Sequence, residues 1–147
     1  MLNKILLYSI VVLFSISASA DSSTDTDLKT IMQGLRSDTS LILDGLLIED
    51  YDAIANAAAK IASHPQIPPA QVAQVVAELG SEMAAFKQFD SVVHDMALAI
   101  QSAALEKDRE RTITNYQQML SACLGCHASY RQRVATVLSP AQSEQPQ

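Results

Sequence analysis

From Asp27 onward, apolar residues return at every third or fourth position. Leu28, Ile31, Met32, Leu35, Ile42, Leu43 and Leu46 form one stripe, with Thr39 filling a step. That is the period of a helix with one buried face. Asp27 or Thr26 is placed to cap it, which predicts a first helix over 27–48. Glu49-Asp50-Tyr51-Asp52 is acidic, as the first turn of a helix should be. Tyr51, Ile54, Ala58 and Ile61 then repeat at helical spacing among many alanines, which predicts a second helix over 50–63. His64-Pro65 and Ile67-Pro68-Pro69 make the one clear break. Pro69 suits a first helical position, and Val72, Val75, Val76 and Leu79 give a short helical stretch that Gly80-Ser81 interrupts. Met83, Phe86, Val93, Ala97, Ile100 and Ala104 continue as a third long helix over 81–105. A last helix over 108–138 carries the most regular stripe: Ile113, Tyr116, Leu120, Cys123, His127, Tyr130, Val134 and Val137. Its steps alternate three and four, so this stripe is expected to be the core seam. Pro140 stops it. No strand pattern and no internal repeat is seen. The expected fold is all-α, an antiparallel up-down-up-down four-helix bundle over residues 21–138, with 139–147 as a polar tail.

The segment before this pattern reads as an address. Lys4 precedes an apolar run, Ile5–Ile16, and Ala18-Ser19-Ala20 has the small-residue spacing of a cleavage site. Residues 1–20 are therefore expected to be a secretory signal peptide, leaving Asp21 as the new N-terminus. The run is short of the roughly 20 apolar residues that a membrane helix needs, so no stable membrane insertion is expected after cleavage. Export to the periplasm follows.

Composition narrows the picture further. The 147 residues are 48% apolar, enough for one buried core. Sixteen Asp and Glu against 10 Lys and Arg give a formal charge of −6, which argues against nucleic acid as a partner. Four glycines and five prolines are too few for a turn-rich β domain. Two cysteines exclude a scaffold of several disulfides.

Those two cysteines stand in Cys123-Leu124-Gly125-Cys126-His127, the C-x-x-C-H spacing by which c-type haem is attached. On a helix, positions i, i+3 and i+4 share a face. Cys123 and Cys126 can reach the two vinyl-derived carbons of one porphyrin edge, and His127 can reach the iron. A thioredoxin-like pair would follow a strand at a helix N-terminus. A structural zinc site would need a fourth ligand, which neither His64 nor His94 has the spacing to supply. No nucleophile elbow, phosphate loop or H-E-x-x-H pattern is present, and no enzymatic activity is expected.

The occupant of the second axial position then decides the function. Antiparallel neighbours bring the level of His127 to the N-terminal parts of the first and third helices. Met32, one turn inside the first helix and on its stripe, is the preferred ligand, with Met83 the fallback. Met96 sits too far along its helix, and Met119 shares the helix of His127 and cannot cross the ring. Phe86 and Phe89 would either wall the porphyrin or pack in the core. Tyr130 is set to pack on the ring edge or bond a propionate. Arg131, and less so Arg133, would neutralise propionates. His94 reads as a boundary residue and His64 as a helix-end cap.

At these residues the chain resembles the class II cytochromes c, the cytochrome c-prime superfamily. The string CLGCHASYRQRV is similar to their C-terminal haem motif, with an aromatic and then a basic residue after it, here Tyr130 and Arg131. LKTIMQGLRSDTSLI is similar to the opening helix of the low-spin branch, and of the periplasmic b-type cytochrome of the same bundle, where the ligand methionine takes the place of Met32. The gas-binding branch usually has an arginine where this chain has Leu28. The resemblance implies one covalent haem c, His/Met ligation, single-electron transfer and a possible homodimer through the first two helices. The alternative is a five-coordinate haem that binds nitric oxide or carbon monoxide. A third possibility is a helical bundle without haem. The acidic balance predicts a redox partner protein with a basic docking patch.

Overall fold

The computed structural model describes residues 27–139, and the expected signal peptide and most of the polar tail lie outside them. Five helices follow one another: α1 (Leu28–Ile48), α2 (Tyr51–Ala62), α3 (Pro69–Leu79), α4 (Met83–Leu105) and α5 (Arg109–Leu138). A 3-10 turn, Gly80–Glu82, separates α3 from α4. No strand occurs among the described residues. The chain is a helical bundle in which α1, α2, α4 and α5 are the four expected helices and α3 is the short stretch before the interruption. No helix among the described residues is long and apolar enough to cross a membrane.

Three aspartates start three of the helices. Asp27 accepts from the Thr30 amide at 2.8 Å, Asp50 from Ala53 at 3.0 Å and Asp108 from Arg111 at 3.1 Å. Each satisfies a backbone donor that the first turn leaves open. Pro69 takes the first position of α3, where its missing N–H costs nothing. Gly80 breaks the helical run with φ +52. At the α1–α2 corner, Glu49 adopts a left-handed φ of 60 and Gly45 leaves the space that the fold-back requires. A Cβ on Gly45 would lie 2.7 Å from Ile54 Cγ1 and 3.1 Å from the Asp50 carbonyl.

α1 packs on α2, α2 on α4, α4 on α5, and α3 on α5. α1 and α5 are not a closely packed pair. The apolar interior divides into two clusters along the helices. One is built of alanine and isoleucine: Ile42, Ile54, Ala57, Ala58, Ile61, Ala97, Ile100 and Ala104, with Met119. The other gathers Leu28, Val75, Leu79, Tyr130 and Val134, with Phe86, Phe89 and Cys126 at its edge. α2 ends at Ala62, so it serves the first cluster only, and α3 takes its place beside the second. Burial of each large aliphatic side chain contributes about 1.5–3 kcal/mol.

Candidate functional site

Each long helix passes from one cluster to the other over a short interval. α1 does so between Leu28 and Leu35, α4 between Phe89 and Val93, and α5 between Met119 and Cys126. Met32 lies in the first interval, Asp90 in the second and Cys123 in the third. Met32 and Cys123 thus stand between the two clusters, whereas Cys126 packs against the aromatic one and Tyr130 belongs to it.

On α5, Cys123 and Cys126 are half-buried. Burial pushes both thiols upward, Cys126 to about 11, with Cys123 and Asp90 adding to it. They are therefore neutral at physiological pH, the opposite of the low-pKa thiolate that a disulfide-exchange centre uses. Gly125, between them, is bare for a reason. A Cβ there would meet the Phe89 ring at 2.8 Å, and that ring is itself set edge-on against Tyr130, with centroids 6.2 Å apart. Phe86 meets Tyr130 in the same manner at 5.6 Å. α4 therefore reaches α5 through aromatic rings at the motif.

The regular stripe of α5 is only in part the core seam that its spacing predicts: Tyr130 and Val134 are buried, and its other members except His127 are half-buried. Thr112, Met119, Ala122, Tyr130 and Val134 are the buried residues, and His127 is exposed. Tyr116, Leu120 and Cys123 border the inward face as half-buried residues, and Tyr116 reaches α1. The cause is packing: Gly125 lets α4 press close on the other flank, and Thr112, whose hydroxyl donates to the Asp108 carbonyl at 2.6 Å, can be buried despite its polarity. His127 makes no side-chain hydrogen bond or ion pair among the described residues.

Met32 is 38% exposed on α1. The other methionines are committed elsewhere. Met119 is fully buried in the alanine–isoleucine cluster, Met96 packs at its edge, and Met83 packs at the edge of the aromatic cluster. α1 and α5 are tied at two heights. Leu28 shares its cluster with Tyr130 and Val134, and the Tyr116 hydroxyl donates to the Thr39 carbonyl at 3.4 Å.

The supporting residues divide. Arg131 is exposed at a shallow depression of about 330 Å³ near the end of α5, lined also by Gln132, Ala135, Thr136 and Ser139. Arg133 is already engaged: Nε donates to Glu78 at 3.0 Å and Nη1 to Glu82 at 2.8 Å, tying α5 to α3 and the turn after it. Tyr130 is 7% exposed and belongs to the core. His94 is exposed beside Asp95. His64 does more than end a helix. Its Nδ1 donates to the Pro65 carbonyl at 2.8 Å and its Nε2 faces Asp90 Oδ1 at 3.6 Å. The Asp90 carboxylate raises His64 above its ordinary value, and His64 in turn lowers Asp90. His64 also lines a second open depression of about 340 Å³ between α1 and α2, with Lys60 and Asp38. Neither depression includes Met32 or the Cys123–His127 motif.

No three His, Cys, Asp or Glu side chains converge as ligands of one metal ion among the described residues. Cys123, Cys126 and His127 line a face instead. Two half-buried thiols and an exposed imidazole thus stand within little more than one turn of α5. Sequence reasoning left Phe89 open between porphyrin wall and core packing, and it packs against the aromatic cluster; it missed the pairings of Asp90 and of the Thr39 carbonyl. Phe89 had a signal in the small residue inside the motif, whereas the pairings of Asp90 and Thr39 depend on how the helices are assembled. Compared with protein families, with curated proteins and with solved structures, the chain matches none.

Proposed function

We propose that the chain is an exported, periplasmic c-type cytochrome that carries single electrons through one haem joined covalently to Cys123 and Cys126. His127 and Met32 are its axial ligands, and the chain transforms no substrate. This is the low-spin, His/Met form of a class II cytochrome c, with helices running up, down, up and down. The division of the interior supports that topology, because the N-terminal ends of α1 and α4 share a cluster with the C-terminal end of α5.

One observation carries the reading: Met32 and the haem motif share the same junction. Passing along α1 from Leu28 to Thr39 corresponds to passing back along α5 from the Tyr130–Val134 turn to Tyr116. Met32 then comes level with the turn of Cys126 and His127. No other methionine of the described residues has this combination of height and exposure.

The haem supplies the one-electron ferric–ferrous couple. The chain's own residues do the rest. Cys123 and Cys126 would supply the thioether sulfurs, His127 would hold the iron through its ring nitrogen, and Met32 would offer a sulfur that favours a low-spin centre with a raised potential. Arg131, one turn beyond His127 and free of ion pairs among the described residues, is available to a propionate. The redox partner is a protein with a basic patch that answers the acidic balance of the chain, and a homodimer is part of the same reading.

Intact mass and a pyridine haemochrome assay on protein made in a host that matures c-type haem test the attachment. A mass equal to that of the processed polypeptide overturns it. The optical spectrum tests the ligands. Split α/β bands in the reduced protein and a weak ferric band at the red end of the visible range are expected. Met32→Ala should turn the iron high-spin and open it to carbon monoxide; an unchanged spectrum removes Met32 as ligand. Carbon monoxide binding by the wild-type protein would favour the gas-binding alternative instead.

A further inference from the structure

We propose that Tyr116 is the strut and latch that fixes how far α1 stands from α5, and with it the reach of Met32 toward His127. The inference rests on the cytochrome reading and assigns the residue that positions its distal ligand.

The helix pairs around the bundle are closed by direct packing except α1 with α5. Across that pair, the Tyr116–Thr39 bond is the only hydrogen bond or ion pair among the described residues. It joins positions 77 residues apart in the chain. The ring of Tyr116 is half-buried at the edge of the alanine–isoleucine cluster, so it holds the two backbones apart, while its hydroxyl keeps α1 from moving further away. Thr39 is itself fixed, since its own hydroxyl donates to the Leu35 carbonyl at 2.7 Å.

The tie is well placed for leverage. At 1.5 Å rise per residue, Thr39 stands about 10 Å along α1 from Met32, and Tyr116 about 10 Å along α5 from Cys123. Tyr116 and Cys123 are on one stripe of α5, and Met32 and Thr39 on one stripe of α1. At the far end α1 is held by the Leu28 cluster and by the Leu28 amide, which donates to Gln71 Oε1 at 2.8 Å. While α2 backs α1, the span that carries Met32 is held toward the α5 side at its two ends, and the Tyr116 support is made through a single side chain. Burial, with Cys123 and Asp44 nearby, raises the phenol further, so it stays a neutral donor across the physiological range.

Two variants separate latch from strut. Tyr116→Phe keeps the ring and removes the donor; Tyr116→Ala removes both. Amide hydrogen exchange of the full chain reads the span, and the ferric spin state of the haem-loaded protein reads the ligand. In Tyr116→Phe, amides of residues 28–39 should exchange about two- to twelvefold faster, the range that one net hydrogen bond implies. Those of α2 and α4 should be unchanged, and a high-spin fraction that binds carbon monoxide should appear. Tyr116→Ala should enlarge both effects. Unchanged exchange in Tyr116→Phe, an increase spread equally over all helices, or a fully low-spin Tyr116→Ala overturns the assignment. Haem content, measured separately, distinguishes the two failures. A haem-free wild type sinks the cytochrome reading, whereas a haem-loaded Tyr116→Phe with wild-type exchange and spin state sinks only the role of Tyr116.

Discussion

The two clusters of the interior are built on opposite principles. In the alanine–isoleucine cluster, small side chains at Ala57, Ala58, Ala97 and Ala104 let helices approach closely, and isoleucines fill what remains; none of its buried members is more than 5% exposed. The aromatic cluster instead joins helices through large rings, Phe86 and Phe89 against Tyr130, and its buried members are 1–7% exposed. Polar ties reinforce it, Gln71 to the start of α1 and Arg133 to Glu78 and Glu82. The difference teaches how each end is held: one by the fit of small residues, the other by rings and polar ties together.

The strongest way to break this contrast is Ile54→Ala, which empties a fully buried site. It should cost about 2–5 kcal/mol in denaturant unfolding, with the high end expected because the rigid alanine surroundings cannot collapse. Leu79→Ala in the aromatic cluster should fall at the low end of the same range; equal losses would erase the distinction. Gly45→Ala comes next, at about 1–3 kcal/mol, because its methyl meets Ile54 and the Asp50 backbone, neither free to yield. Gly125→Ala should cost less, about 1 kcal/mol, since the Phe89 ring can tilt. Its signature should be a shift in near-ultraviolet circular dichroism from the displaced aromatic ring.

The smallest expected effect concerns pH. His64 is raised above 6.5, so its contribution to stability is full below 6.5 and is lost as pH rises through the folded value. Asp90 is lowered below 3.8, so its contribution is present above 3.8 and is lost as pH falls through its depressed value. The pair therefore supports the fold between these limits. Unfolding midpoints measured from about pH 6 to pH 8 should decline slightly, and Asp90→Asn should flatten that slope. Both side chains keep contact with water, which holds the effect down. A slope unchanged in Asp90→Asn would mean that the α2–α3 connection is not braced to α4 by this pair.

Much of the helical layout is legible in the sequence, because caps and breakers act locally. Asp27, Asp50, Asp108, Pro69 and Gly80 punctuate the chain wherever it is placed in space. The C-x-x-C-H motif is equally local, since three positions on one helix face need no partner to be recognised. The rotation of α5 was not legible. A three-four spacing marks a stripe, but which shoulder of that stripe turns inward depends on Phe89 pressing against Gly125 from another helix. His127 is exposed for that reason, although its spacing puts it on the seam. The pairing of His64 with Asp90 and of Tyr116 with Thr39 likewise joins residues that only assembly brings together.

The shortness of α2 has a consequence for how such a molecule would be made. With 12 residues against 30 in α5, it walls only one end, and the prolines at 65, 68 and 69 detach the second wall, α3, as a separate leaf. Each leaf rests on its own cluster, and Gln71 and Arg133 hold α3 to α1 and α5. A chain divided this way can pack its alanine–isoleucine end before α3 closes the aromatic end.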